Sequence, residues 1–324
     1  MIYAKCLLAA FPTEGAAIIM EAAAYHVWVM SVFIVINGKR MVAGAAIILL
    51  AVVLAVFMVR NALAAHVPTM TEGAQTVTVP ILMYHSILKD TSRTGVYVVT
   101  PQQLECDLKY LKENGYQSVT MQELVDYVYF GTPLPEKPVV LTFDDGHLNN
   151  VVYATPLLKE FGMRAVLSVV GMYCDEATAT NDNNVSYSYL TWEQIAEVHK
   201  EGVFEIQNHS YQMHFLNGMR RGTLPMSGES ETQYNQALTA DIGRMQEQLI
   251  AQTGEVPTTF TYPFGFHSKQ SREILQSMGF RATLICEEGV NCVTTGDLDC
   301  LFGLKRILRS GNDTTYSVMK NLCQ

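Results

Sequence analysis

From about residue 79 onward, short apolar runs rich in β-branched residues alternate with stretches whose apolar positions recur at helical spacing. Val79-Pro80-Ile81-Leu82-Met83-Tyr84-His85 predicts a strand that ends in a histidine, and Val139–Phe143 a buried strand that ends in two aspartates. Further strands are predicted at Ala165–Val170, Val203–Gln207, Thr258–Tyr262 and Arg281–Cys286. The intervening helices are predicted at Pro101–Asn114, with Gly115 as its stop, then at Met121–Phe130 and near Val151–Phe161. Three more follow at Thr191–Lys200, with Thr191 as N-cap, at about Glu231–Thr253, and at Lys269–Met278. Repeated βα units imply a parallel sheet, and about seven of them in roughly 250 residues suggest a closed or partly closed barrel. The Asn- and Ser-rich stretch Cys174–Ser188 is expected to be a loop.

A different pattern precedes this alternation. Val42–Val59 is an uncharged apolar run of 18 residues, about enough to span a bilayer as a helix. Lys39-Arg40 immediately before it would stay in the cytoplasm and send the following chain outside. Ala62-Leu63-Ala64 resembles a signal-peptidase site, so the run reads either as a retained anchor or as a leader removed after Ala64. Ala16–Ile36 is also apolar but carries Glu21 and His26, which are costly in lipid. The expected division is a membrane segment over residues 1–65, a polar, Thr-rich linker over 66–79, and an α/β domain over 80–324.

Charge narrows the partners. The chain has a formal net charge of −9, and residues 1–65 hold four basic and two acidic side chains, leaving 18 basic against 29 acidic in the remainder. An acidic domain argues against nucleic acid as a ligand, since phosphate binding wants a basic face. The seven cysteines show no CxxC pair or zinc-ribbon spacing. Most are expected to be buried free thiols, while Cys286, Cys292 and Cys300 lie near enough in sequence to pair in an exported domain.

In a barrel of this kind, chemistry gathers where strands end at their carboxyl termini. Thr142-Phe143-Asp144-Asp145-Gly146 places two carboxylates side by side there. Neighbouring strand side chains point to opposite faces, so both can face one pocket only if the strand breaks, and Gly146 permits that turn. A metal on one aspartate and a reacting water on the other would separate their protonation behaviour; a solvated Asp-Asp-Gly turn is the plainer alternative. The Val203–Gln207 strand runs into Asn208-His209-Ser210-Tyr211-Gln212-Met213-His214. Five residues apart, these histidines cannot share an ion on a helix, but a loop could fold both onto one. One aspartate with two histidines leaves open positions for water and substrate. The Thr258–Tyr262 strand ends in Pro263-Phe264-Gly265, a turn able to aim an amide N–H at an oxyanion.

Together the TFDDG, HSYQMH and YPFG pieces resemble the NodB-type polysaccharide deacetylases, carbohydrate esterase family four, over about Pro80 to Arg309. The resemblance implies a distorted (β/α)7 barrel and an enzyme that hydrolyses amide bonds of N-acetylated glycans with a divalent metal. Carried over by motif, Asp145, His209 and His214 match the metal ligands and Asp144 the catalytic base. The Phe264 backbone N–H matches the oxyanion donor, with Tyr262 beside it. Zinc is the expected ion, and cobalt, nickel or iron would suit the same ligands. The sequence departs from the family pattern in three places. The histidine spacing is five where four is commoner, Thr261 stands where an arginine usually opens the third motif, and no histidine follows His267 to serve as the late general acid. This combination resembles the branch acting on poly-β-1,6-N-acetylglucosamine, in which an early Tyr-His supplies the acid; Tyr84-His85 stands at that place and His267 is its rival. Arg306 is the candidate to replace the missing arginine near Asp144. The expected protein is a membrane-anchored or secreted deacetylase acting outside the cell. A catalytically inactive glycan-binding barrel is the alternative, and peptidoglycan and chitin-like oligomers are the rival substrates.

Overall fold

The computed structural model describes residues 73–216 and 220–323. Val42–Val59, Lys39-Arg40 and Ala16–Ile36 lie outside the described residues, among which no helix is long and apolar enough to cross a membrane. Residues from Ile81 onward form an α/β fold around a curled sheet whose strands all run parallel. Its spatial order is Phe302–Leu304, Ala282–Leu284, Thr259–Thr261, Phe204–Asn208, Ala165–Val169, Pro138–Phe143, Ile81–Tyr84, Ile307–Leu308. A short strand, Gln117–Ser118, pairs with the start of Pro138–Phe143. The two ends of that order are pieces of one stretch, separated only by Lys305 and Arg306. Residues 302–304 pair with one sheet edge and 307–308 with the other, so both edges are drawn onto the same few residues. The expected barrel is thus realised as a curled parallel half-barrel with its seam at Arg306.

The helices start where the sequence offers reciprocal caps. Thr100, Thr120, Thr191, Ser230 and Ser268 each form a capping box with the residue three positions on, satisfying two backbone donors per helix start. The observed helices are Pro101–Glu113, Met121–Phe130, Leu148–Phe161, Trp192–Glu201, Glu231–Thr253 and Lys269–Ser277. Pro138–Phe143 is buried along its whole length, as expected of a central parallel strand covered on both faces.

Three expectations need correction. Thr76–Val79, read as the end of a linker, is a strand paired antiparallel with Asn291–Thr294. Its Thr-Val-Thr-Val alternation suits a half-buried edge, and only Val79 is fully covered. The first part of Cys174–Ser188 is not loop: Gly171–Thr180 is a helix that ends at Asn181 in the left-handed conformation. Cys106, Cys174, Cys286, Cys292 and Cys300 are all free, and of these only Cys174 is buried. Cys286 lines a cleft while Cys292 points outward from its strand, so the two thiols lie on different surfaces.

A buried polar cluster fixes the strand that delivers His85. Asp107 accepts from Tyr84 Oη at 3.0 Å, Arg309 Nε at 2.6 Å and Thr315 Oγ1 at 2.6 Å, and Asp107 and Arg309 are both shielded from solvent. The Arg309 backbone N–H donates to Met83 O at 2.9 Å, tying the same strand to the C-terminal segment. Removing one member of such a pair strands the other charge away from water. Arg309→Ala is therefore expected to lower unfolding free energy by about 3–5 kcal/mol in urea titration. A loss below about 1 kcal/mol, the range of an exposed pair, would show that the cluster does not hold this strand.

Candidate active site

The break that lets both aspartates face one side is visible at the end of Pro138–Phe143. Asp145 and Gly146 adopt consecutive left-handed conformations, with φ of 72° and 77°, which interrupts the strand alternation. Space as well as angle requires the glycine, because a Cβ there would lie 2.9 Å from Val169 Cγ1 on the next strand. Asp145 has no such excuse in composition. Its conformation is held by the site it serves, a common place for local backbone strain.

Asp145, His209 and His214 offer ligand atoms that all lie within 4.8 Å of one another. His214 Nε2 is 3.1 Å and His209 Nε2 3.6 Å from Asp145 Oδ1. His209 leaves the Phe204–Asn208 strand with its N–H on Val169 O, and Ser210 then takes a left-handed turn, φ 71°, that carries His214 back toward it. The turn is pinned by Asp241, which accepts the N–H groups of Tyr211 and Gln212 at 2.9 and 2.8 Å. Each histidine is oriented from behind. His209 Nδ1 lies 2.7 Å from Thr261 O, an acceptor only, so Nδ1 carries the proton and Nε2 keeps its lone pair toward Asp145. His214 Nδ1 meets the Tyr173 hydroxyl at 3.2 Å.

This set fits a divalent cation. Asp145 Oδ1 is buried without a hydrogen-bond partner among the described residues, and two imidazole nitrogens converge on it. Burial would raise the Asp145 carboxyl, but contacts with His147, His209 and His214 hold it well below the usual carboxylate range. Burial likewise opposes charge on His209, yet Asp145 and Asp144 draw its pKa upward. The field at this spot therefore favours positive charge. Carboxylate with imidazole is a hard-to-borderline donor set, suited to the metals named above.

Asp144 sits in the same cleft but in another electrostatic setting. Arg306 Nη1 donates to Asp144 Oδ1 at 2.8 Å and to Thr142 Oγ1 at 3.2 Å, while its Nε is bound to Ile285 O at 2.9 Å. Both partners are buried. Burial pushes the Asp144 carboxyl up, and the Arg306 charge more than offsets it, so Asp144 stays ionised. Thr261 turns its hydroxyl to Ser168 at 2.7 Å, and the arginine beside Asp144 comes from the gap between two short strands, 162 residues further along the chain.

A cleft of about 750 Å³ joins these groups to His85, Phe264, Tyr97 and Cys286. The His85 ring meets the Tyr97 ring edge-on at 4.8 Å, and burial lowers its pKa against the pull of Asp144 and Asp145. Phe264 has a φ of 58° and packs against the His214 ring at 4.4 Å. Two sequence candidates are not brought in. His267 is exposed, bonded to Gly265 O at 3.0 Å, and does not line the cleft. Tyr262 is buried in the core, its hydroxyl bonded to Ser271 at 3.2 Å and its ring against Phe260. Residues that the sequence reading missed also surround the site. His147 Nε2 is 3.6 Å from Asp145 Oδ2, and its ring stacks on Tyr189, which stacks on Tyr173. His147 adjoins the aspartate motif and could have been flagged by that position; Tyr173 carried no local signal.

Comparison with known proteins agrees with this architecture. A polysaccharide deacetylase family profile matches residues 131–283. The poly-β-1,6-N-acetyl-D-glucosamine N-deacetylase of Escherichia coli K12 is 27% identical over 227 residues, 64% of this chain and 34% of that protein. The chain thus spans about a third of the length of that relative. Among solved structures, a de-N-acetylase from Aggregatibacter actinomycetemcomitans superposes with a TM-score of 0.64 at 25% identity, covering 76% of this chain and 100% of the other. IcaB from Ammonifex degensii gives 0.62 at 25% identity, covering 76% and 97%. The stretch matched by that profile carries the aspartate and histidine motifs, and in sequence and in fold the chain is similar to polysaccharide deacetylases.

Proposed function

We propose that this chain hydrolyses N-acetyl groups from an N-acetylglucosamine-containing polysaccharide, with a divalent metal, and releases acetate. The observation that carries the reading is the pairing of two adjacent carboxylates in opposite settings: Asp145 against two histidines, Asp144 against Arg306. The arrangement separates a ligand from a base, which is what hydrolysis by an activated water needs. The polymer we infer is poly-β-1,6-N-acetylglucosamine. The name of the E. coli relative supports that choice, as does the position of His85, which is in the cleft while His267 is not.

A divalent ion on Asp145, His209 and His214, with zinc our choice, would supply charge to polarise the acetamide carbonyl and acidify a water. Asp144, kept ionised by Arg306, accepts the proton of the water whose oxygen bonds to the acyl carbon. The Phe264 N–H is the donor for the carbonyl oxygen as negative charge grows there. An amine leaves poorly as an anion, so the C–N bond breaks with proton transfer from His85 to nitrogen. The products are acetate and a glucosamine residue. We further propose that the region after about residue 66 works outside the membrane, anchored by Val42–Val59 or released by cleavage after Ala64, on the strength of Lys39-Arg40 before the apolar run.

Three outcomes test these statements. His209→Ala should abolish both metal binding and acetate release, and Tyr173→Phe should weaken metal affinity by about 10–100-fold with the fold retained. Full metal content by elemental analysis in the His209 variant would reject the ligand set. His85→Ala should lower amide turnover by roughly 10²–10⁴-fold with metal still bound, and cleavage of an activated ester should suffer far less, since its leaving group needs no proton. Because burial lowers the His85 pKa, the protonated donor is lost as pH rises through that lowered value. The alkaline limb of kcat/KM should thus fall at lower pH than an ordinary histidine would set, and should vanish or move in the variant. Normal amide turnover in His85→Ala, with loss in His267→Ala, would transfer the role to His267. For topology, protease added to intact cells should degrade the domain; protection until lysis would reverse the orientation.

A further inference from the structure

We infer that Tyr97 and Tyr187 form a stacking platform for sugar rings next to the one being deacetylated, so that the site selects oligomers over single residues. The inference rests on the proposed glycan substrate and extends it. Both tyrosines line the cleft that holds Asp144, Asp145 and His85, and both are 57% exposed. Large aromatic surface left open to water beside charged, buried chemistry is a mark of a binding surface. The two residues come from separate loops that meet: Arg93 Nη1 donates to Ser186 O at 3.2 Å, joining the loop before Tyr97 to the residue before Tyr187.

Each backbone is held before any ligand arrives. Tyr97 O accepts from Ser86 N at 3.0 Å, and the following residues pair as a short ladder with Ser86–Ile87. Gly311 packs directly on this turn, where a Cβ would come within 2.1 Å of Val98 O. Tyr187 N donates to Asn184 O at 3.1 Å, and Ser188 O accepts from Leu148 N at 2.9 Å, just after the aspartate motif. Both platforms are therefore referenced to the site itself. The Tyr97 ring contacts His85 at a steep angle, and more than half of the residue stays exposed. A pyranose presents a face of C–H groups that matches an aromatic face, and a tyrosine fixes only two torsions to receive it. Recognition by ring faces reads neighbouring sugars of a chain and makes no demand on the acetamide.

The test uses N-acetylglucosamine oligomers of increasing length, with acetate release measured for the metal-loaded full chain and for Tyr187→Ala, Tyr187→Phe and Tyr97→Phe. In the unaltered protein kcat/KM should rise with length. Tyr187→Ala should raise KM for the longer oligomers by about tenfold, an ordinary worth for one aromatic stack, with kcat largely kept. The length gain should be lost in that variant and retained in both phenylalanine variants. Equal loss at every length, or no length dependence in the unaltered protein, would overturn the platform. Calorimetric binding of oligomers of each length to the His85→Ala protein, whose turnover is low, separates it from catalysis. Length-dependent binding that Tyr187→Ala removes and Tyr187→Phe keeps upholds the platform even if no acetate is released, and binding indifferent to Tyr187 rejects it.

Discussion

The ion pair between Arg306 and Asp144 is the contact on which both the fold's seam and the site's electrostatics depend. Arg306 lies in the two-residue gap between the piece of chain paired to one sheet edge and the piece paired to the other. Its Nε holds Ile285 O and its Nη1 reaches Thr142 and Asp144. Burying a guanidinium is costly unless its donors are used and its charge is matched, and here both conditions are met by groups of the site. The same bond that makes the seam tolerable keeps Asp144 ionised. Structure and reactivity are thereby linked through one side chain, and neither partner can be replaced without exposing the other to an apolar surround.

The second organising feature is the division of labour between adjacent carboxylates. Asp144 and Asp145 are neighbours in sequence and share a cleft, yet one faces a guanidinium and the other three imidazoles. Like charges so close would push each other's pKa upward. Separate counter-charges relieve that repulsion and give the two carboxylates distinct settings. The left-handed pair at Asp145 and Gly146 makes the division possible, since a regular strand would have sent the two carboxylates to opposite faces. Behind the ligands, Thr261 O and the Tyr173 hydroxyl fix which imidazole nitrogen points inward, and Asp241 pins the turn between the histidines.

Much of this was legible from residue order alone, because the governing rules are local. Helix positions followed from apolar residues at helical spacing, with Thr191 as an N-cap and Gly115 as a stop, and the observed boundaries fall within a few residues of expectation. Strand identity followed from short β-branched runs, and the parallel arrangement from their alternation with helices. The aspartate and histidine motifs could be placed because parallel strands in such a sheet end at a common face, so residues at their carboxyl ends meet whatever their sequence separation. Composition set the outer limits: the acidic balance of the chain after residue 65 argues against a nucleic-acid partner.

What only the tertiary structure decided has a common physical cause, which is long-range proximity without local pattern. Thr76–Val79 became a strand because Asn291–Thr294 lies beside it, a pairing across more than two hundred residues that no window of sequence contains. Gly171–Thr180 became a helix despite polar composition further on, its end fixed by Asn181 in a left-handed turn. Cys286 and Cys292 stayed apart because one faces the cleft and the other leaves its strand outward. His85 lines the cavity while His267 lies outside it, and Tyr262 was drawn into the core by Phe260 and Ser271. Tyr173, Tyr189 and His147 surround the ligands through ring stacking between separate segments. Sequence determined which chemistry was available and on which end of the sheet it would gather; the packing of distant segments determined which side chains touch it, because contact geometry is a property of the folded surface and is written in no single stretch of chain.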